Sequence, residues 1–429
     1  MESTKEDKIK RILEQQVKLA SPSKEDFYYI EEKTKELIEI LNKNIKKSKI
    51  SAEVFVGGSS AKGTLVKKKE YDIDIFVRFD SKRYKDEEIS GLLLKIVPKD
   101  AKRIHGSRDY FSLKIENIKF EIIPVLKISK PEEAKNVTDL SYFHVNYVKN
   151  KLGRNPRLAD EIKLAKVFVH SQNCYGAESY INGFSGYALE LLILHYKTFL
   201  KFIRAIAKAN IRKKKIILDP EKCFRGEEEI KRELNEAKLQ SPIVLVDPTY
   251  KERNALAALS LDTFLKFQAS CKRFLKSPSI DFFKIKDIEK DFYEKHGKNV
   301  IKLELSTEKQ TGDIAGTKLK KFYNYFLSEL QRYFKVIDSD FIYDENQNYG
   351  KILLVIEKRE ELIYKGPPVS MKESLIKFRK KHKRIEIKKG VAYAIEKNNL
   401  VNFENFLEKF ENEKSKIMEE MGVQKIKKI

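Results

Sequence analysis

Cysteine is scarce in this chain, and no apolar run is long. The three cysteines, Cys174, Cys223 and Cys271, lie far apart and form no Cys-x-x-Cys pair. That argues against a disulfide scaffold and a cysteine-rich zinc site, and it fits a reducing compartment. No run of about 18 apolar residues occurs, so no membrane span is expected. The stretch from Lys5 to Arg11 is charged rather than apolar, so no signal peptide is expected either. Internal repeats and low-complexity linkers are also missing. A soluble, cytoplasmic protein is the expectation from these absences. The small-residue loop Gly57-Gly58-Ser59-Ser60-Ala61-Lys62-Gly63-Thr64 lacks the Gly-Lys-Ser/Thr order of a P-loop.

What is present is length and positive charge. With 429 residues the chain has room for about three domains of about 150 residues. Its 87 lysines and arginines against 64 acids leave a net charge of +23. Such an excess favours a polyanionic partner, nucleic acid first among them, and salt-sensitive association. The plain alternative is a lysine-rich solvated surface.

The pattern along the chain changes twice. Ser23, with Asp26 three residues on, is a helix start, and Phe27, Ile30, Leu37, Ile38, Leu41 and Ile45 recur at helical spacing to about Lys49. Strands are predicted at Glu53–Val56, Ile73–Phe79, Tyr110–Ile115 and Lys119–Leu126, the last two split by a hairpin break at Glu116-Asn117. Helices take over from Asp139: one from Pro156 through Val169, a continuous one over Ser185–Ala207, and a long one over Leu256–Leu275. Between them lie a charged segment at 221–240, expected to be exposed, and a short buried strand from Pro242 to Pro248. Beyond Pro278 come strands at Val300–Leu305 and Ile352–Ile356 flanking a helix at Leu319–Phe334. That order suggests a ferredoxin-like or RNA-recognition-type module. A basic stretch at Leu375–Gly390, a last helix at Asn402–Met421 and a basic tail from Gln424 follow.

The chemistry concentrates between Gly57 and Asp74. Asp72 and Asp74 sit at i and i+2 in an apolar run with Ile73, Ile75, Phe76 and Val77. On a strand such residues share a face, about 6–7 Å apart. Two carboxylates so placed repel, and a cation between them relieves that; Mg²⁺ takes a few carboxylates and completes its shell with water and phosphate oxygens. The preceding loop offers backbone N–H groups and hydroxyls to a phosphate. By itself such a loop is an ordinary turn, but eight residues ahead of Asp72-x-Asp74 it points to a metal and a nucleoside triphosphate. A solvated strand edge explains the acid pair poorly, because the apolar neighbours put the strand in a core. Glu121, a lone acid in the apolar run Phe120 to Ile123, is the candidate third carboxylate, with an edge-facing glutamate as its alternative.

Gly58-Ser59, Asp72-x-Asp74 and an acid on a later strand together resemble the polymerase-β-type nucleotidyltransferases. Over nearly the whole chain the resemblance narrows to the archaeal-type (class I) CCA-adding tRNA nucleotidyltransferases. Its carriers are Phe143-His144, Ile162 to Lys166, Tyr175 to Glu178, the run Gly183-Phe184-Ser185-Gly186-Tyr187-Ala188-Leu189-Glu190-Leu191-Leu192, Val246-Asp247-Pro248, Arg253-Asn254, Leu259 to Asp262, and Met421-Gly422-Val423. The segment Gly176–Leu192 is specific to this family, whereas the acid pair is shared across the superfamily.

The resemblance implies a multidomain α+β architecture. A polymerase-β-like nucleotidyltransferase head would cover residues 1–140, a helical central domain 141–276, and a C-terminal α+β, ferredoxin- or RNA-recognition-like region 277–429. It implies that CTP and then ATP are added to the 3′ end of tRNA without a template, by a two-metal Mg²⁺ mechanism with pyrophosphate release. Asp72, Asp74 and Glu121 look like the metal triad. Ser59 and Lys62 match phosphate-contacting loop positions; His144, Lys166, Tyr175 and Arg253 match further nucleotide-contacting positions, Arg253 on the base. The family commonly dimerises, so a homodimer is implied. Arg212–Lys215, Lys377–Lys389 and Lys425–Lys428 are candidates for the RNA surface, against the alternative of a solvated face. Three positions depart from the family's usual pattern: Asp72 where glutamate is frequent, Glu121 where aspartate is usual, and Lys62 where arginine is common. Lysine binds phosphate less directionally than arginine. The rival functions are a related template-independent poly(A) or oligonucleotide polymerase and a catalytically inactive RNA-binding homologue.

Overall fold

The computed structural model describes residues 4–307, 310–344, 347–400 and 402–429. The chain forms two compact units, Met1–Ile285 and Lys286–Ile429.

The first unit opens with α1 (Lys5–Ala20) and α2 (Lys24–Lys47). Ser23 starts α2 as expected: its hydroxyl accepts from the Asp26 N–H at 3.0 Å, and the Asp26 carboxylate accepts from the Ser23 N–H at 3.0 Å. The apolar stripe Ile30, Leu37, Leu41 and Ile45 is buried. It covers one face of a five-stranded sheet ordered β1-β2-β5-β4-β3. The strands are β1 (Ala52–Val56), β2 (Tyr71–Asp80), β3 (Lys102–Ile104), β4 (Tyr110–Ile115) and β5 (Ile118–Lys127). The one-turn helix α3 (Gly58–Ala61) links β1 to β2, and α4 (Asp86–Leu94) follows β2. Central strand β2 shows the period-two split of a pleated strand. Ile73, Ile75, Val77 and Phe79 are fully buried beneath α2 and α4, so Asp72 and Asp74 must point to the other face.

The helical part comprises α5 (Ser141–Arg154), α6 (Leu158–Ser171), α7 (Gly186–Tyr196) and α8 (Phe199–Lys208), then β6 (Ile216–Leu218), α9 (Glu227–Glu233), α10 (Glu236–Leu239), β7 (Ile243–Asp247), β8 (Tyr250–Asn254) and α11 (Leu261–Lys276). It has its own core, in which Phe168, Phe184, Phe199, Phe202, Phe267 and Phe274 are all fully buried. Ile9 and Ile12 of α1 join this helical core and not the sheet's.

Three expectations here are corrected. The helix expected over Ser185–Ala207 is two, α7 and α8. Lys197 adopts a left-handed conformation (φ 70°), its N–H closes α7 on the Ile193 carbonyl at 2.8 Å, and Thr198 then caps α8 by accepting from the Lys201 N–H at 3.1 Å. The charged segment 221–240 is not wholly exposed, because Ile230 and Leu234 are buried against Val244 and Val246. The helix expected from Leu256 starts at Leu261. The Asn254 carboxamide oxygen accepts from the N–H groups of Leu245 and Leu256, both at 2.9 Å, and holds the intervening chain in a turn until Ser260 caps α11.

The second unit carries α12 (Ile288–His296), β9 (Ile301–Ser306), α13 (Gly312–Tyr333), β10 (Phe334–Asp344), β11 (Tyr349–Lys358), β12 (Glu361–Pro368), α14 (Lys372–Lys381), β13 (Ile385–Lys388), β14 (Val391–Lys397), α15 (Phe403–Glu420) and β15 (Lys425–Lys428). The succession β9-α13-β10-β11-α15-β15, with antiparallel order β10-β11-β9-β15, is the ferredoxin-like arrangement expected. A second sheet, β12-β14-β13 with α14, is inserted between β11 and α15. The basic tail is corrected as well: it is a strand, paired with β9, with Ile426 buried among Leu303, Leu305, Phe406 and Phe410. Removing residues 425–429 therefore exposes a sheet edge and forfeits about 2 kcal/mol of apolar burial from Ile426 alone. Calorimetry of the truncated chain is expected to show the C-terminal unit melting several degrees lower; a purely solvated tail would leave the melt unchanged.

Candidate functional site

The site begins on the face of β2 that α2 and α4 leave open. β2 and β5 run parallel, with Asp74 opposite Glu121 and Asp72 opposite Lys119. The pleat therefore puts Asp72, Asp74 and Glu121 on one face, as their positions in sequence suggested. Further along the same face Phe76 stacks on Phe55, with ring centroids 5.0 Å apart, and the Arg78 guanidinium lies 3.8 Å over the Tyr142 ring. The face is thus packed at one end and acidic at the other.

The Gly57–Thr64 loop is pressed onto this strand. The Gly57 N–H donates to the Asp74 carbonyl at 2.8 Å. Gly58 has φ +57°, and a Cβ there would lie 1.8 Å from Asp74 Oδ2. Only glycine permits this approach. Ser59 lies on α3, and its carbonyl accepts from the Thr64 N–H at 3.0 Å, which closes the loop.

Among the described residues no three carboxylate, histidine or cysteine side chains are gathered closely enough to hold a metal ion as they stand. Lysines hold two of the acids: Lys68 Nζ lies 2.9 Å from Asp72 and Lys119 Nζ 2.9 Å from Glu121. Asp74 has no such ion pair among the described residues. Burial pushes its carboxyl up to about 7, the charges of Glu121 and Asp72 add to the rise, and Lys62 acts against it. A half-buried carboxyl raised by desolvation and by like charges, with an oxygen-only donor set around it, fits a hard divalent cation, because such an ion relieves that repulsion.

Lys62, matched in sequence to a phosphate-contacting loop position, and Lys166, matched to a further nucleotide-contacting position, converge on Glu190 of α7. Lys62 Nζ donates to Glu190 Oε2 at 2.6 Å, Lys166 Nζ to Oε1 at 2.8 Å, and Thr64 Oγ1 to Oε1 at 2.9 Å. Lys166 also reaches Thr64 Oγ1 at 2.9 Å and the Thr64 carbonyl at 3.4 Å. Glu190 is fully buried. Burial alone would raise its carboxyl, but the two ammonium groups prevail and hold it at about 2. Two cations share one anion, so the cluster keeps one positive charge beside the acidic face. The Tyr175 phenol lies in the field of Glu190 and Asp74, and a Cβ on Gly186 would come 2.8 Å from its hydroxyl oxygen.

His144 and Arg253 meet at a second buried acid, Asp247, at the end of β7. His144 Nε2 lies 3.2 Å from Asp247 Oδ2, and the Arg253 guanidinium donates to the same oxygen at 2.7 Å. Oδ1 accepts from the Tyr187 hydroxyl at 2.9 Å and from the Thr249 N–H and hydroxyl at 2.9 and 2.8 Å. The His144 ring stacks on Tyr187 at 3.9 Å. Burial, opposed by Asp247, lowers the His144 pKa. Burial acts upward on Asp247, but His144 and Arg253 hold its carboxyl far below the usual range. Tyr187 and Glu190 are three residues apart on α7, hence on one helix face. One helix therefore anchors both clusters, and the charge of Lys62 is felt at His144.

Sequence reasoning left Glu190 and Asp247 without a role. The signal for Glu190 was a single acid inside Ala188–Leu194, an otherwise apolar helical run. For Asp247 it was an acid closing a wholly buried strand.

Metal-free stability is expected to depend on Asp74. Its folded-state pKa lies above the unfolded value of about 3.9, so the folded form binds the extra proton and stability falls as pH rises from about 4 through 7. In EDTA, Asp74→Asn should flatten that decline and be more stable than the parent at pH 8, by at most about 4 kcal/mol. Thermal denaturation from pH 5 to 8 measures it.

Similarity to known proteins is extensive. The nucleotidyltransferase domain family matches residues 34–141, and the family of the tRNA nucleotidyltransferase second domain matches residues 160–284. The CCA-adding enzyme of Nanoarchaeum equitans is 34% identical over 385 residues, covering 87% of this chain and 90% of that protein. That of Methanocaldococcus jannaschii is 31% identical, covering 90% of this chain and 87% of its own length. Among solved structures, a Cid1 poly(U) polymerase superposes with a TM-score of 0.51 at 16% identity, over 66% of this chain and all of that one, which shows the shared fold. Enzymes of the nucleotidyltransferase family use divalent metal ions. With two family matches and identity of this extent along the chain, which carries an acidic strand face lying against a Gly-Ser loop, the chain belongs to the archaeal-type CCA-adding enzymes of the polymerase-β nucleotidyltransferase superfamily.

Proposed function

We propose that the protein builds and repairs the 3′-terminal CCA of tRNA, taking C, C and A from CTP and ATP without a template. The observation that carries the chemistry is the in-register placement of Asp74 opposite Glu121, with Asp72 on the same face, against a loop held to Asp74 by Gly58. The nucleotide order comes from the archaeal relatives, named CCA-adding enzymes, and the acceptor from the family of the tRNA nucleotidyltransferase second domain.

In the proposed reaction the 3′-hydroxyl oxygen of the RNA bonds to the α-phosphorus, the bond from that phosphorus to the β-bridging oxygen breaks, and pyrophosphate leaves. Asp72, Asp74 and Glu121 would hold two Mg²⁺ ions, which would supply activation of the hydroxyl and neutralisation of the triphosphate. The protein's own part is positioning, which is most of what phosphoryl transfer asks. Ser59 and Lys62 face the phosphates from the loop, and Lys166 and Tyr175 back them from the helical part. His144 and Arg253, both oriented by Asp247, take the nucleoside side.

The same proposal places catalysis in residues 1–140, nucleotide and RNA-end binding in 141–276, and grip on the RNA body in 277–429. Exposed Lys377, Arg379, Lys380 and Lys381 on α14 suit contact with phosphates and 2′-hydroxyls. A homodimer follows from the resemblance, and a cytoplasmic place from three free cysteines.

Incubation with tRNA lacking its 3′ end is expected to give products longer by C, C and A with CTP and ATP, and by two residues with CTP alone. A product that is only a long A tail would sink the reading, and so would no addition at all. Asp74→Ala should abolish addition. Gly58→Ala, which drives a methyl group into the Asp74 carboxylate, should lower kcat about 100-fold or more while the fold's circular dichroism persists.

A further inference from the structure

Lys62 has two carboxylates to choose between. Its charge is felt at Asp74, whose side chain the Gly57–Thr64 loop touches, yet its ammonium is bonded to Glu190 at 2.6 Å. Among the described residues Glu190 is the only hydrogen-bond partner of the Lys62 ammonium. The choice has a consequence, because a lysine paired with Asp74 would occupy the carboxylate that a divalent ion needs. The neighbouring acids show the effect, since Lys68 sits on Asp72 and Lys119 on Glu121. Those two lysines are partly exposed and are readily exchanged for a cation from water. Lys62, with a side chain only 7% exposed, is not.

We propose that Glu190 is a positioning residue that holds the Lys62 ammonium off Asp74, keeping that carboxylate open to a divalent ion while two of the three Lys62 N–H groups remain for phosphate. The inference rests on the reading of Asp72, Asp74 and Glu121 as the metal carboxylates. Glu190 suits the role because it is fully buried on a rigid helix and has no water to exchange its partners with. Lys166 is fastened separately: its three N–H groups have three acceptors, Glu190 and the hydroxyl and carbonyl of Thr64. Loss of the Glu190 charge would leave Lys166 two of its acceptors and would leave Lys62, of the two carboxylates on which its charge acts, only Asp74. Glu190 and Asp74 belong to different elements, α7 and β2, so the apolar packing of α7 sets the carboxylate that Lys62 meets.

The test is direct Mn²⁺ binding to the full-length protein without nucleotide, read by electron paramagnetic resonance, with thermal unfolding as the check on folding. Glu190→Gln is expected to weaken Mn²⁺ binding about 10-fold or more, as loss of a partner that orients a metal site does. The double variant Glu190→Gln with Lys62→Met should regain most of the parent affinity, because the competing ammonium is gone. Binding by Glu190→Gln equal to the parent overturns the proposal, and so does a double variant as weak as Glu190→Gln, which would mean that Glu190 acts on the fold alone. Should Glu190→Gln fail to fold, Lys62→Met decides: Mn²⁺ binding at least as tight as the parent supports the proposal, and binding 10-fold weaker overturns it. Asp74→Asn separates the two readings. If it binds Mn²⁺ like the parent, the assignment of the metal carboxylates fails; if it loses binding while Glu190→Gln does not, only the role of Glu190 fails.

Discussion

The buried carboxylate of Glu190 is the constraint from which the site's geometry follows. A charge without exposure is tolerated only when its partners are fixed, and removing one partner of a buried pair typically costs about 3–5 kcal/mol. Glu190 binds two lysines and a threonine drawn from the Gly loop, its sequel and α6, segments that sequence separates by up to 128 positions. The bond network ties the Gly57–Thr64 loop to α7. Its cost is met by the apolar run around it, Leu189 to Leu194, which is buried whatever the ligand.

Asp247 repeats the design at the opposite end of the site. It too is fully buried, and it orients a histidine and an arginine whose side chains are then not free to wander. Tyr187 joins it to α7, so one helix carries the anchors of both clusters. Against these fixed cations stands an acidic strand face left short of positive charge at Asp74. The imbalance is local and useful: nucleotidyl transfer brings cations and polyanions together, and a site already neutralised would have no room for either.

Much of this was legible in the sequence, for identifiable reasons. Period-two alternation in β2 set which face bears Asp72 and Asp74, and a lone acid in β5 found Glu121. The Ser23–Asp26 capping box and the strand-helix-strand order after Pro278 were equally local signals. The helix break at Lys197 was not legible, because a lysine in the left-handed region leaves no compositional mark. Nor was β15: Lys425 to Lys428 is a strand only because β9 offers an unpaired edge and Phe406 and Phe410 offer a place for Ile426.

By itself, then, the sequence determined the periodic elements, the acidic strand, the glycine that lets a loop lie on it, and the family. These depend on neighbours a few residues apart, or on motifs that survive as strings. Only the tertiary structure decided that Lys62 and Lys166 meet at Glu190, that His144 and Arg253 meet at Asp247, and that Asp74 alone of the three acids has no lysine of its own. The physical reason is that an ion pair forms between whichever charges folding desolvates together, and which charges those are is a property of packing between distant segments, not of their order along the chain.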